Sequence, residues 1–295
     1  MISIIINSFK ESHLVGKAIE SILNNKIKEK YELIVAAPDE ETAEIIKKYA
    51  RKYKQIKYFK DKGQGKVNAL NQIFKITKGS ILILTDGDVY VSDNAIEEIL
   101  NEFRDKKVGC VSGHPVSTND KNKMLGYFSH LLFDAGAHNI RKLRNKNNQF
   151  LECSGYLFAF RNNGIIKKLP TDVAEDSITP YYFWKQGYKI RYAENALVHV
   201  KNPTNLKDFI NQRKRTIGSH AKLKKYAPDF PKVKSFCNEI KYGLIWALSY
   251  PTNLKEFIWT LLLFPIRLYT WFVYYTEHMF NKEYKDKWER IGSTK

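Results

Sequence analysis

The chain is 295 residues long, 43% hydrophobic and 27% charged, enough to bury a sizeable core and too apolar for a disordered segment. Three cysteines without C-x-x-C spacing (Cys110, Cys153, Cys237) argue against a disulfide framework or a cysteine zinc site, and for a reducing compartment. Forty-nine Lys and Arg against 31 Asp and Glu leave a net charge of +18, which draws the chain to polyanions: nucleic acid, anionic lipid headgroups or nucleotide phosphates.

Residues 2–6 are a short β-branched run that reads as a strand; no basic region precedes it, so it does not read as a signal peptide. Ser12 is a candidate cap for a helix in which Leu14, Val15, Ala18, Ile19, Ile22 and Leu23 recur at helical spacing. Residues 31–37 predict a second strand, 40–53 a helix and 56–59 a third strand. Gly63 and Gly65 mark a loop, after which Val67, Leu70, Ile73 and Phe74 share a helical face. Residues 81–85 predict a fourth strand, closed by Asp86-Gly87-Asp88. Ile96, Ile99, Leu100 and Phe103 form the next helix face, and 108–112 another strand. This alternation predicts an α/β fold, a mostly parallel sheet with helices on both faces. Ligands bind beyond the carboxyl ends of such strands, which singles out loops 7–11, 38–40, 61–66 and 86–88.

Asp86 and Asp88 end an apolar strand two residues apart and can face one site. Bare, they raise each other's pKa; a divalent cation removes that cost, and magnesium or manganese suits carboxylates joined by water and phosphate oxygens. A solvated acidic turn is the alternative. Glu175-Asp176 precedes the aromatic run 181–184 and suits either a helix dipole or a general base that removes a proton from an attacking hydroxyl. His199, in the apolar run 196–200, reads as a core histidine or a further metal ligand.

Residues 201–241 hold eleven basic and three acidic residues, among them Gln212-Arg213-Lys214-Arg215. An Arg over a diphosphate stabilises charge on a leaving group; a solvated helix face is the alternative. Residues 257–275 follow, apolar but for Thr260, Pro265, Arg267 and Thr270, with Trp246, Trp259, Tyr269, Trp271, Tyr274 and Tyr275 in the same region. A basic stretch beside an aromatic-rich apolar one reads as an anchor on the anionic cytoplasmic face of the cell membrane. Three placements compete. A spanning helix is only just long enough and pays about 2.5–3.5 kcal/mol for Arg267, an in-plane helix tolerates Arg267 and Pro265, and a buried core helix needs no membrane. The expected division is a catalytic domain over 1–235 and a helical membrane-associating region over 236–295.

The order of these motifs resembles the family 2 glycosyltransferases, from Ser3 to about Ser219. Ser3-Ile4-Ile5-Ile6-Asn7-Ser8-Phe9 looks like the family's first strand and nucleotide loop. Gly65-Lys66-Val67-Asn68-Ala69-Leu70-Asn71 is similar to its G-K-x-x-A-L-N helix start, and Asp86-Gly87-Asp88 falls at its D-x-D. Residues 154–161 look like its acceptor-side strand, Glu175-Asp176 matches its E-D pair, and 212–216 sit at the Q-x-x-R-W of membrane-bound synthases.

The resemblance implies a GT-A fold and an inverting sugar transfer from a UDP- or GDP-sugar, with Mn2+ or Mg2+ as cofactor. It implies Asp176 as catalytic base with Glu175 beside it and Arg215 at the departing diphosphate. Ser8, Asp39, Lys66, Asp86, Gln212 and Arg213 would hold the nucleotide sugar, Asp86 and Asp88 the metal with His199 as a further ligand, and Ser154 and Gly155 the acceptor side. Three departures stand out. Asn7 replaces the usual Pro of the first loop. Ala36-Ala37-Pro38-Asp39 stands where paired Asp is usual, which makes Asp39 the substitute. Thr216 replaces the Trp of Q-x-x-R-W, which points to single-sugar addition instead of processive synthesis. The basic stretch and apolar tail point to a lipid-linked or membrane glycan acceptor; a lipid phosphate is already anionic and needs no base. A nucleotidyltransferase of related fold and a non-enzymatic basic membrane- or nucleic-acid-binding protein are the rivals. The second leaves the ordered acidic motifs unexplained, so nucleic acid is not the expected partner.

Overall fold

A computed structural model of the chain describes residues 1–231, 236–279 and 292–294. Lys232 and Lys234 of the basic stretch and residues 280–291 of the C-terminal region lie outside the described residues, as do the side chains of Cys237, Glu239 and Lys241. In chain order the elements begin β1 (Ile2–Asn7), α1 (Val15–Leu23), β2 (Tyr31–Ala37), α2 (Glu40–Lys52), β3 (Ile56–Lys60), α3 (Lys66–Ile73), β4 (Ile81–Asp86), β5 (Val89–Val91) and α4 (Ala95–Glu102). They continue β6 (Val108–Ser117), α5 (Met124–Leu131), a π-helical segment (Leu132–His138), α6 (Asn139–Lys146), β7 (Leu157–Arg161), α7 (Glu175–Lys185) and β8 (Lys189–Val200). The helices α8 (Leu206–Ala221), α9 (Leu223–Tyr226), α10 (Phe236–Ser249) and α11 (Leu254–Met279) follow. The chain divides into two compact units, and the boundary falls earlier in sequence than the expected 235/236.

The first unit takes Met1–Pro115 and Arg144–Val200. Its sheet runs β3-β2-β1-β4-β7-β6-β8-β5. The β3-β2-β1-β4 half is parallel, as the strand–helix rhythm of the first hundred residues requires. Beyond it the pairs β4–β7, β6–β7 and β5–β8 are antiparallel, so the sheet is more mixed than the sequence suggested. The physical reason is that the rhythm of crossover helices stops after β6. Strands β1, β2 and β4 are near-continuous apolar runs because both faces are covered; Ile4, Ile5, Ile6, Leu33 and Leu84 are fully buried. The first helix begins at Val15, with Leu14 at its N-cap and no side-chain cap. Ser12 is therefore not the cap: the Glu11 carbonyl accepts the Leu14 and Val15 N–H groups instead, each at 2.9 Å. Cys110 and Cys153 are buried free thiols.

The second unit takes Val116–Leu143 and the described residues of Lys201–Asp286. Its core joins Tyr127, Phe128, Leu131, Phe209, Ala247 and Leu263. The Tyr127 and Thr260 hydroxyls meet at 2.6 Å, and Lys214 pairs with Glu277 at 2.7 Å. These contacts hold one face of α11 against α5 and α8, with Glu256, Thr260, Leu263, Thr270 and Tyr274 buried. Its other face is open and apolar: Leu254, Ile258, Leu262, Leu268, Phe272 and Tyr275 are exposed. Among the described residues, fourteen of the eighteen exposed large hydrophobic side chains lie on α10 and α11, so this face is not that of a core helix. By length and composition, Leu254–Glu277 is also long enough to cross a bilayer.

Candidate active site

Three elements bring charge to the carboxyl end of the parallel strands. Asp86 ends β4, Lys66 opens α3 and Glu175 opens α7. The Lys66 ammonium lies 2.6 Å from Asp86 Oδ1 and 2.7 Å from Glu175 Oε1, with all three side chains largely buried. Burial alone would lower the lysine's pKa; the two carboxylates outweigh it and raise it, so Lys66 is a fixed cation. Burial raises Asp86, Lys66 pulls it back, and Asp88 and Glu175 push it up again, to about 6.

Asp88 completes a turn that only glycine fits. A Cβ on Gly87 would lie 2.5 Å from both Glu11 Oε2 and Ser8 Oγ, so the D-G-D turn rests directly on the first strand's loop. Within that loop the Ser8 hydroxyl donates to Glu11 Oε2 at 2.7 Å. Glu11 is buried, and sequence reasoning missed it; the available signal was an acid inside a strand-tip loop, three residues from Ser8. Burial, then Asp88 and Glu11, raise the Tyr90 hydroxyl's pKa, which places both carboxylates near that ring. His199 pairs with Tyr90 across the β5–β8 ladder. Among the described residues, no three His, Cys, Asp or Glu side chains already form a closed metal site. The cluster still fits a divalent cation that arrives with phosphate oxygens: the negative charge that raises Asp86 is what such an ion relieves.

Asp176 is anchored twice. Its Oδ2 accepts the Gly155 N–H at 3.0 Å, and its carbonyl accepts the Cys153 N–H at 3.1 Å. The Ser154 N–H donates to Ser112 Oγ at 3.0 Å. The E-D pair and the 154–155 turn, predicted separately, thus adjoin, and Glu175 faces Lys66 while Asp176 faces Gly155. Asp39 is engaged elsewhere: it is the N-cap of α2, with Oδ1 accepting from Thr42 N and Oγ1 and Oδ2 from the Lys10 N–H at 2.7 Å. Burial pushes its carboxyl up, but these hydrogen bonds win and hold it below the ordinary value. Gln212, Arg213 and Arg215 lie on α8 in the second unit. Arg215 is exposed, and the Arg213 guanidinium stacks 5.4 Å from the Phe209 ring.

A family model described as Glycosyl transferase family 2 matches residues 3–167. Hyaluronan synthase of Streptococcus pyogenes is 25% identical over 163 residues, 52% of this chain and 39% of that protein. Poly-beta-1,6-N-acetyl-D-glucosamine synthase of Staphylococcus aureus (strain COL) is 25% identical over 219 residues, 72% of this chain and 53% of that protein. The chain therefore spans between about two fifths and about half of the length of these curated relatives. Among solved structures, the mannosyltransferase PcManGT from Pyrobaculum calidifontis, in complex with GDP-Man and Mn2+, superposes with a TM-score of 0.64 at 16% identity. That likeness covers 96% of this chain and 88% of the other, and it shows a shared GT-A fold.

Proposed function

The chain belongs to glycosyl transferase family 2, and on that premise we propose that it moves a single sugar, with inversion, from a nucleoside diphosphate to a lipid-linked or membrane glycan acceptor. The observation that carries this reading is the Lys66 bridge, which ties the D-x-D end of β4 to the start of the helix bearing Asp176.

Asp86 and Asp88 are the residues that would hold manganese or magnesium; bound there with the diphosphate, the ion would neutralise charge on the departing phosphates. Lys66 contributes fixed positive charge to the same region, and Ser8 supports the D-G-D turn through Glu11. Asp176 takes the proton from the acceptor hydroxyl. The acceptor oxygen bonds to the anomeric carbon on the face opposite the leaving group. The bond from that carbon to the diphosphate oxygen breaks, and its electron pair leaves with the nucleoside diphosphate. The Gly155 N–H fixes the direction of the base carboxylate, and Glu175 acts as a positioning residue through Lys66. The family motifs of the sequence assign Gln212, Arg213 and Arg215 to the nucleotide diphosphate and His199 to the metal as a further ligand. An anionic lipid phosphate would attack without Asp176.

The curated relatives carry the names of polymer synthases; the small Thr216 on α8 supports single addition here. The open apolar face of α11, beside the exposed Lys207, Arg215, Lys224 and Lys225, supports a peripheral, in-plane seat on the anionic cytoplasmic face of a membrane. A nucleotidyltransferase would release diphosphate where this reaction releases a nucleoside diphosphate, so product analysis separates the two. The test is Asp176→Asn with a hydroxyl acceptor. Donor affinity should stay within about threefold while transfer falls by roughly 10²–10⁴. Transfer at the parent rate would remove Asp176 from the role of base.

A further inference from the structure

We propose that Thr42 is a positioning residue for the D-G-D turn: from the start of α2 it sets the loop after β1, and that loop's Glu11 side chain sets the turn. The proposal rests on the metal and nucleotide-sugar reading above and adds a residue that touches neither ligand. Every link lies within the first unit. The Thr42 hydroxyl donates to Asp39 Oδ1 at 2.6 Å and accepts the Glu11 N–H at 2.9 Å. One residue earlier, the Lys10 N–H donates to Asp39 Oδ2 at 2.7 Å. The Ser8 N–H donates to the Ala36 carbonyl at 2.9 Å, so β2 and the start of α2 fix the loop at Ser8, Lys10 and Glu11. Lys10 sits in the left-handed region, with φ 55, where glycine or asparagine is more at ease; the Asp39 carboxylate holds its N–H there. Glu11 follows directly and reaches the acidic turn. Its Oε2 accepts the Ser8 hydroxyl at 2.7 Å and lies 2.5 Å from where a Cβ on Gly87 would stand. The Gly87 N–H donates to the Asn7 carbonyl at 2.8 Å. The residue between Asp86 and Asp88 is therefore held by the loop through both backbone and side chain.

Only a hydroxyl suits position 42. An ionised carboxylate only accepts and a backbone N–H only donates, so the group between Asp39 and Glu11 must do both. Serine and threonine can; valine, of nearly the same shape as threonine, can do neither. Thr42 is fully buried, and Ser8 and Glu11 are buried beside it, so water does not replace a lost link. Without the hydroxyl, the Glu11 N–H loses its acceptor and the loop is free to shift against Gly87. Groups one step removed from a metal's ligands typically change its affinity by ~10–100-fold. Glu11 acts on the turn through its length. Glutamine replaces a spacer of that length and aspartate, one methylene shorter, does not. For a charge acting directly on the ion, the order of the two substitutions is reversed.

The experiment is Mn2+ binding to the full chain with UDP and, separately, GDP present, read from the electron paramagnetic resonance of the free ion and accompanied by thermal unfolding. Thr42→Val should raise the half-saturating Mn2+ by ~10–100-fold at a temperature where circular dichroism shows it folded. Thr42→Ser should stay within about twofold of the parent even though the lost methyl lowers its unfolding temperature. That split between metal affinity and stability is what a merely structural role would not produce. Glu11→Asp should weaken Mn2+ binding by at least ~10-fold, while Glu11→Gln stays within about threefold. Should Thr42→Val fail to fold, Thr42→Ser and the two Glu11 variants decide. A folded Thr42→Val that binds Mn2+ as the parent does, or a Thr42→Ser that loses the ion, overturns the role of the hydroxyl. Glu11→Gln losing as much affinity as Glu11→Asp, or more, overturns the role of the Glu11 spacer and with it the path from Thr42 to the turn. If the parent binds no Mn2+ with either nucleotide, the metal reading falls and the positioning role with it.

Discussion

Asp39 shows that a carboxylate singled out in sequence for a ligand also carries a structural task in the fold. In sequence it was the nearest acid to a missing Asp pair; in the fold both its oxygens serve the first turn of α2 and the Lys10 N–H. Its folded pKa lies below the ordinary 3.8, so its stabilising contribution is complete above the unfolded value and is lost as pH falls through the folded one. Asp39→Ala should therefore cost about 1 kcal/mol near neutral pH, and the gap from the parent should close under acid conditions, as read by urea denaturation at both. A gap that persists in acid would point to lost packing instead. Asp86, Asp88, Glu175 and Asp176 were legible because acids after a buried strand or at a helix start stand out in an apolar pattern. The ion pairs of Lys66 were not, since they join residues far apart in sequence. Glu11 was hidden by its ordinary setting, an exposed-looking loop that the D-G-D turn packs against.

At the level of elements, β1 to β4 and α1 to α4 follow from periodicity, because strands buried on both faces and helices with one apolar stripe leave clear patterns. The three-residue β5 and the antiparallel β7 and β8 do not: a short strand has no period to detect, and pairing direction depends on connections that local sequence does not encode. The Ser12 cap failed for a related reason, since a backbone carbonyl did the work expected of a hydroxyl. The D-G-D turn gives the sharpest prediction at this scale. A methyl at Gly87 collides with Ser8 Cβ, which cannot rotate away, so Gly87→Ala must shift either the turn or the first loop. Donor affinity should drop at least ~10-fold in titration calorimetry while circular dichroism stays native, the local cost being of the order of a 1–3 kcal/mol overpacking. Unchanged affinity would separate the turn from donor binding.

For the molecule as a whole, net charge and hydropathy were plain in the sequence, but which side of the apolar segment faces outward was not. Only packing shows that Thr260 and Leu263 of α11 turn inward while Leu262 and Phe272 remain open. On the membrane reading, the full chain should float with vesicles containing anionic lipid, and Leu262→Glu with Phe272→Glu should weaken that binding by well over ~10-fold, each large side chain contributing about 1.5–3 kcal/mol. Flotation unaffected by both charges would assign the surface to another partner. Whether the acidic tip of β4 receives the donor is decided by nucleotide-sugar binding to the parent and to Asp88→Asn, with and without manganese. The parent should bind tightly only with the ion, and Asp88→Asn should gain nothing from it. An Asp88→Asn chain that binds donor and responds to manganese as the parent does would contradict both expectations.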